Sequence, residues 1–338
     1  MPMRTDPMPS VLQTNIRRRE FITVLGAFAA AWPLAASAQT PGQTYRVGAL
    51  FPNPRGVPHT AMFEELGKAG FREGQNLTVD WRSFGQRADM APEFAAEMIK
   101  IRPDVILAGG DPAIRAAAQA TSTIPILGIT DDLVGSGFAN SPAKPGGNVT
   151  GVSVHAAELD GKRQEILIEA VPKIRRIAAL ADTNATSPRQ SRALQDAARK
   201  RGIEYSVHWV TRPDEITPAI DSARKSHAEA LNVLASPLLY GNRAEITGMT
   251  AALRLPAIYQ WPESAEEGGL VGYGPSIVQL YQGIVAQQLV KMLRGAKPAD
   301  MPVEKPSRFE LVINLQTAKA IGIAIPAGLI KRANKVIQ

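Results

Sequence analysis

The sequence predicts an α/β protein: two doubly wound parallel-sheet lobes joined by a hinge of several crossings. Three observations predict it. Short apolar runs rich in β-branched residues alternate with segments of helical period, the pattern of parallel strands covered on both faces. The alternation is interrupted over residues 124–155 and begins again from 157. And 338 residues are long for one core but comfortable for two domains.

The first set of elements starts at residue 45. Residues 45–51 read as an apolar strand that ends in the loop Pro52-Asn53-Pro54-Arg55-Gly56. A helix over 59–68 follows, with Met62, Phe63 and Leu66 on one face and Gly70 to end it. Residues 77–84 alternate, Leu77, Val79 and Trp81 against Thr78, Asp80 and Arg82, which suits a strand near an edge. A helix over 92–101, a strand over 105–108, a helix over 112–120 and a strand over 126–129 complete the set. Between that strand and the next, 149–154, the linker 130–148 carries Gly135, Gly137, Pro142, Pro145, Gly146 and Gly147 and no helical period.

The second set repeats the plan. A helix over 159–171 leads to a strand over 177–181 and a loop in which Ser187-Pro188 resembles an N-cap with proline in the first turn. Helices over 189–201, 214–225 and 242–253 then alternate with strands over 204–210, 230–235 and 257–259. A glycine-rich strand over 268–274, a helix over 276–293, a strand over 309–313 and a short helical tail finish the chain. Late segments to spare imply more than one crossing. The expected division is 45–152 with 273–300 in one lobe and 153–272 with 303–338 in the other.

Composition narrows the classes. A hydrophobic content of 45% with 20% charged residues argues for a globular chain rather than a disordered or fibrous one. No cysteine means no disulfide, thiolate nucleophile or cysteine metal site. Arg17-Arg18-Arg19-Glu20-Phe21-Ile22 precedes a short apolar stretch, with Ala36-Ser37-Ala38 before Gln39. These are the three parts of a secretory signal, and the arginine pair resembles the twin-arginine type. Cleavage after Ala38 is expected. It leaves 34 basic against 29 acidic residues, a mild +5.

In a doubly wound protein a ligand sits at the carboxyl ends of the strands, between the lobes. Candidate residues follow from that rule. Asn53 lies in the loop after the first strand. Gly110 and Asp111 follow the third and open a helix whose free N–H groups suit a ligand carboxylate, unless Asp111 merely caps its own helix. Thr130 and Asp131 follow the next strand, and Asp131 suits a ligand ammonium. Ser153 lies at the crossing. Asn184, Ser187, Ser236 and Tyr240 occupy the matching loops of the second lobe. The run Tyr259-Gln260-Trp261 and Tyr273 add aromatic surface for a planar ligand, with Tyr259 and Tyr273 the candidates.

Other chemistries lack their residues. The first strand turn has no Gly-x-Gly-x-x-Gly, and the Ser-x-x-Lys matches at Ser141 and Ser222 have no Lys-Thr-Gly partner. His59, His155, His208 and His227 lie on separate elements without ligand spacing. Neither catalysis nor a cofactor or metal is expected. No basic run is interleaved with aromatics, and no helix-turn-helix segment precedes the first strand, so no nucleic-acid partner is expected either.

Four stretches together resemble the periplasmic substrate-binding proteins of ABC transporters, in the branch that includes tryptophan and tyrosine binders. They are Pro145-Gly146-Gly147-Asn148-Val149-Thr150-Gly151-Val152-Ser153, Ile129-Thr130-Asp131, Lys297-Pro298-Ala299-Asp300-Met301-Pro302-Val303 and Phe309-Glu310-Leu311-Val312-Ile313-Asn314. The resemblance implies a type I periplasmic-binding fold and a monomer. It implies a small organic ligand, an amino acid or an aromatic or other carboxylate, captured in the periplasm and presented to an ABC permease. A ligand-sensing partner of a membrane receptor would use the same fold. The better-known aromatic amino-acid members carry an acid straight after Gly-x-Ser. Here Val154 and His155 stand there, which favours a carboxylate without an amine.

Overall fold

The computed structural model describes residues 43–338; the expected signal and its cleavage site lie outside them. Strands β1 (Tyr45–Phe51), β2 (Leu77–Ser83), β3 (Val105–Gly109), β4 (Ile126–Thr130) and β5 (Val149–Ser153) form one sheet in the order β2-β1-β3-β4-β5. Every pairing in it is parallel. β3, β4 and β5 are buried throughout, as continuous apolar runs between two helical layers should be. The alternating β2 is the edge strand. Helices α1 (Val57–Lys68), α2 (Ala91–Lys100) and α3 (Asp111–Ala120) make the crossovers.

The second sheet holds β6 (Arg176–Asp182), β7 (Glu204–Val210), β8 (Ala230–Val233), β9 (Ala257–Tyr259), β10 (Val271–Gly274), β11 (Glu310–Asn314) and β12 (Lys335–Ile337). Their order is β12-β11-β10-β9-β8-β6-β7. Only the β10–β11 pairing is antiparallel. Its helices are α4 (Ala156–Ala170), α5 (Pro188–Arg199), α6 (Ile216–Lys225), α7 (Pro237–Gly241), α8 (Arg243–Ala252) and α9 (Pro262–Glu266). The glycine-rich strand is shorter than expected. Gly268 has φ +106, and Gly269 gives its Cβ space to the Tyr259 ring and the Ser264 carbonyl, so both stay in the turn. The tail is not purely helical either, since β12 follows α12 (Leu315–Ile321) and α13 (Ala327–Arg332). Two parallel-dominated sheets covered by helices are the architecture expected of a type I periplasmic-binding fold.

The chain passes between the sheets three times. After β5, His155 takes a left-handed φ of 49° and starts α4. After β10, α10 (Ile277–Leu280), a π-turn (Tyr281–Val285) and α11 (Ala286–Leu293) return to the first sheet. There Leu280, Val285 and Leu289 share a core with Val47, Leu66 and Phe71. The last crossing runs from Glu304 to β11, leaving β5 through the bonds Ser153 N to Glu304 O and Glu304 N to Gly151 O, 2.9 Å each. Among the described residues no helix is long and apolar enough to cross a membrane.

Candidate functional site

The carboxyl ends of both sheets face a cavity of about 1060 Å³. On the first-lobe side the chain leaves β1 at Phe51 and turns into α1 at Gly56. That helix start has no side-chain cap of the serine kind. Instead the Gly56 N–H donates to His59 Nδ1 at 3.0 Å, which puts the imidazole proton on Nε2. The ring sits edge-on to Phe51 at 4.8 Å, Trp81 at 4.6 Å and Tyr281 at 4.9 Å. Phe51 and Trp81 stack at 4.7 Å. Tyr281 opens the π-turn, which resets the helical register by one residue, and it lines the cavity.

Burial, with the nearby Arg55 cation, pushes the His59 pKa down to about 4. The unfolded chain binds a proton near 6.5 and the folded one does not until about 4. Between those values the unfolded state holds more protons, so stability is lost as pH falls from 6.5 towards 4, by roughly 3 kcal/mol in all. Urea unfolding between pH 7 and 4.5 should show this slope, and His59→Phe should remove it. An unchanged slope in the variant would assign it to other groups.

The loops after β3 and β4 are tied to each other. Asp111 accepts from Thr130 Oγ1 and, at 2.8 Å, from Ser136 Oγ. It therefore neither caps its own helix nor stands free, and Gly110 is the N-cap, at φ 81°. Asp132 Oδ1 accepts the Val134 and Gly135 N–H groups at 3.1 and 2.9 Å. The Asp131 carbonyl accepts the His155 N–H at 2.9 Å, which pins the β4 loop to the first crossing.

On the second-lobe side Asp182 organises the loops. Its Oδ1 accepts the Asn184 N–H at 2.8 Å and its Oδ2 accepts from Ser236 Oγ at 2.7 Å. Burial pushes this carboxyl up, and these bonds pull it partly back. Ser236 N donates to Gln260 Oε1 at 2.6 Å. Ser187 and Ser236 spend their hydroxyls as N-caps, accepting from Gln190 N and Leu239 N at 3.2 Å. Tyr240 lies edge-on to Trp261 at 6.0 Å, under the Arg243 guanidinium at 4.4 Å. Arg243 is itself clamped by Glu267 at 2.6 and 3.1 Å. Burial pushes the Tyr240 hydroxyl up to about 12, so it remains a neutral donor.

Behind this wall α4 buries an ion pair. Arg163 donates from Nε to Asp160 Oδ1 at 3.1 Å, also from Nη2, and from Nη1 to the Tyr273 carbonyl at 3.2 Å. Gln190, on the cavity wall, donates to Asp160 Oδ2.

Nine sequence-predicted residues line the cavity: Asn53, Gly110, Asp111, Thr130 and Asp131 from the first lobe, and Asn184, Ser187, Ser236 and Tyr240 from the second. Three do not. Ser153 is buried in the first lobe, where its Oγ accepts the Leu133 N–H at 3.0 Å. Tyr259, the last residue of β9, is buried against α8 with its hydroxyl 2.8 Å from Thr250 Oγ1, whereas Gln260 and Trp261, in the turn after the strand, line the cleft. Tyr273 packs on the second-lobe core. The cavity also gathers His59, Gln86, Gln190 and Tyr281, none of which were candidates, and Trp261, which entered only as part of the Tyr259-Gln260-Trp261 aromatic surface. For Trp261 the signal was present, as an aromatic at a strand end.

Two α/β lobes that face each other across a cleft walled by loops from both define a two-lobed ligand-binding protein. Residues 59–337 match the family model for ABC transporter substrate binding protein, and the chain belongs to that family. A tyrosine-binding protein of Clostridioides difficile (strain R20291) is 27% identical over 256 residues, 75% of this chain and 72% of that one. Among solved structures, the ABC domain in complex with L-Trp from Streptococcus pneumoniae is 25% identical with a TM-score of 0.76. A conserved domain protein of Vibrio cholerae is 22% identical with a TM-score of 0.79. A ligand-free, open substrate binding protein with adhesive properties from Clostridium difficile is 24% identical with a TM-score of 0.57. Each of the three covers 87% of this chain and is covered completely.

Proposed function

We propose that the protein captures an aromatic amino acid between its lobes and presents it, unaltered, to an ABC permease after export to the periplasm. The observation that carries this reading is the cavity's aromatic lining from both sides, Phe51, His59 and Tyr281 facing Tyr240 and Trp261. Such faces stack on a planar ligand. The tyrosine-binding relative and the L-Trp complex support it. So does charge: the lining includes Asp111, Asp131, Asp132, Glu158 and Asp182, but only Arg189 and Arg243 as cations and no lysine. That balance favours a ligand with an ammonium group over a carboxylate without one. Glu158, in the first turn of α4, supplies an acid near the position where Val154 and His155 stand in the motif.

In this reading the lobes, divided near 45–152 with 273–300 and 153–272 with 303–338 but with Ser153 kept in the first by β5 and Tyr273 in the second by β10, close on the ligand about the three crossings. The closer match to the L-Trp complex than to the open structure supports a closed arrangement here. Thermal shift with L-tyrosine, L-tryptophan and their deaminated analogues tests the ligand class. The amino acids should stabilise the protein and be recovered unchanged by mass spectrometry. Stabilisation by the analogues alone would overturn the amine assignment, and turnover would overturn the binder. Tyr240→Ala should weaken the binding about 30-fold, on the order of 2 kcal/mol. For export, replacing Arg18 and Arg19 by lysine should leave uncleaved protein in the cytoplasm. Normal delivery to the periplasm would reject the twin-arginine route.

A further inference from the structure

Two side-chain amides of the first lobe converge on one carbonyl of the second. Asn53 Nδ2 and Gln86 Nε2 both donate to Pro237 O, at 3.3 Å each, and Gln86 Nε2 also donates to Asn53 Oδ1. Gln86 reaches this position from a backbone that a residue with a side chain avoids. Its φ is 67°, directly after Gly85 at 59°, and its N–H is held by Pro52 O at 3.1 Å. Left-handed backbone at a non-glycine residue is uphill and persists where surrounding contacts hold it.

The opposite surface is shaped to receive these amides. Gly241 closes α7, and a Cβ there would collide with Asn53 Oδ1 and lie 2.8 Å from Gln86 Nε2. Its φ is not positive, so glycine is not required by the backbone. At the other end of the same helix, Pro237 Cγ faces the Gly110 Cβ position at 3.6 Å. Three first-lobe loops thus seat one five-residue helix, and that helix carries Tyr240 into the cleft.

We propose that Asn53 and Gln86 are positioning residues, an interlobe latch that seats α7 and thereby Tyr240 in the closed state whatever ligand is bound. The latch rests on the reading that the lobes open and close. Two neutral bonds to one carbonyl, offset by the Gln86 backbone, are a weak tie, so it biases closure without locking it. Its loss should act on ligand release rather than on capture, because the amides meet Pro237 only after the lobes have come together.

The natural chain has no cysteine, so Glu93→Cys and Lys225→Cys, exposed on α2 and α6, allow a spin-label distance to be measured between the lobes. In Gly241→Ala and in Gln86→Gly, the ligand-free distance distribution should shift toward longer values, with the unfolding midpoint little changed. L-Tyrosine should leave both variants about tenfold faster, with association within about twofold of the parent. Distances and release rates equal to the parent's in both variants would overturn the latch. If one variant fails to fold, the other decides. A parent that ignores L-tyrosine counts against the ligand reading alone, and the ligand-free distances then decide the latch.

Discussion

Asp160→Ala is expected to destabilise the protein by about 3–5 kcal/mol, the cost of breaking a buried pair by removing one partner. Both side chains of the pair are fully buried. Burial pushes the Asp160 carboxyl up, and Arg163 and the Gln190 amide pull it partly back. Alanine would take the carboxylate from a guanidinium that stays charged out of water, and would take the acceptor from Gln190. Removing both members is a different matter. Asp160→Leu with Arg163→Met, which packs the space with apolar groups, should recover much of the loss. Urea unfolding of the three proteins checks this. A double variant as weak as Asp160→Ala would mean that the Tyr273 and Gln190 contacts, not the charge, carry the stability.

Gly151→Ala should be as damaging, for a backbone reason. Gly151 pairs with Gly128 across β4 and β5 and has φ 146°, a region an L side chain rarely enters. A Cβ there would be driven into the Gly128 carbonyl oxygen and lie 2.8 Å from its nitrogen, and neither atom can move without opening the ladder. Overpacking of about 1–3 kcal/mol and backbone strain of about 1–3 kcal/mol add to roughly 4 kcal/mol. Gly248→Ala is the control. It lies within α8 with nothing within 4 Å of its Cβ position, and should stabilise by about 0.5–1 kcal/mol. Equal effects at the two sites would refute the steric account.

Much of this architecture was legible because buried parallel strands advertise themselves. β3, Val-Ile-Leu-Ala-Gly, is buried at every position, and the alternation of β2 marks the edge it occupies. Elements too short for a period were not legible: α7 and α9 have five residues each, and β12 has three, only half-buried, held by β11. The same limit shaped the site. Loops at strand ends could be named, but Tyr259 and Trp261 share one strand parity, and a three-residue strand does not reveal where it ends, so Tyr259 was read as the site residue although Trp261, just past the end, lines the cleft. His59 was hidden inside a helix, and Gln86 behind a left-handed turn with no sequence signature beyond one glycine.

The first sheet is complete by residue 153, yet part of its helical cover on one side, Ile277–Leu293, comes more than a hundred residues later. During synthesis, therefore, Leu66, Phe71 and Val47 have no late-helix partner until nearly the whole chain exists. Such long-range closure slows folding and leaves apolar surface open to wrong partners meanwhile. The first lobe cannot be the unit that folds first and waits. A nascent chain ending before Ile277 should hold chaperone and resist neither protease nor aggregation, and native protection should arrive in both lobes together once the returning helix has docked.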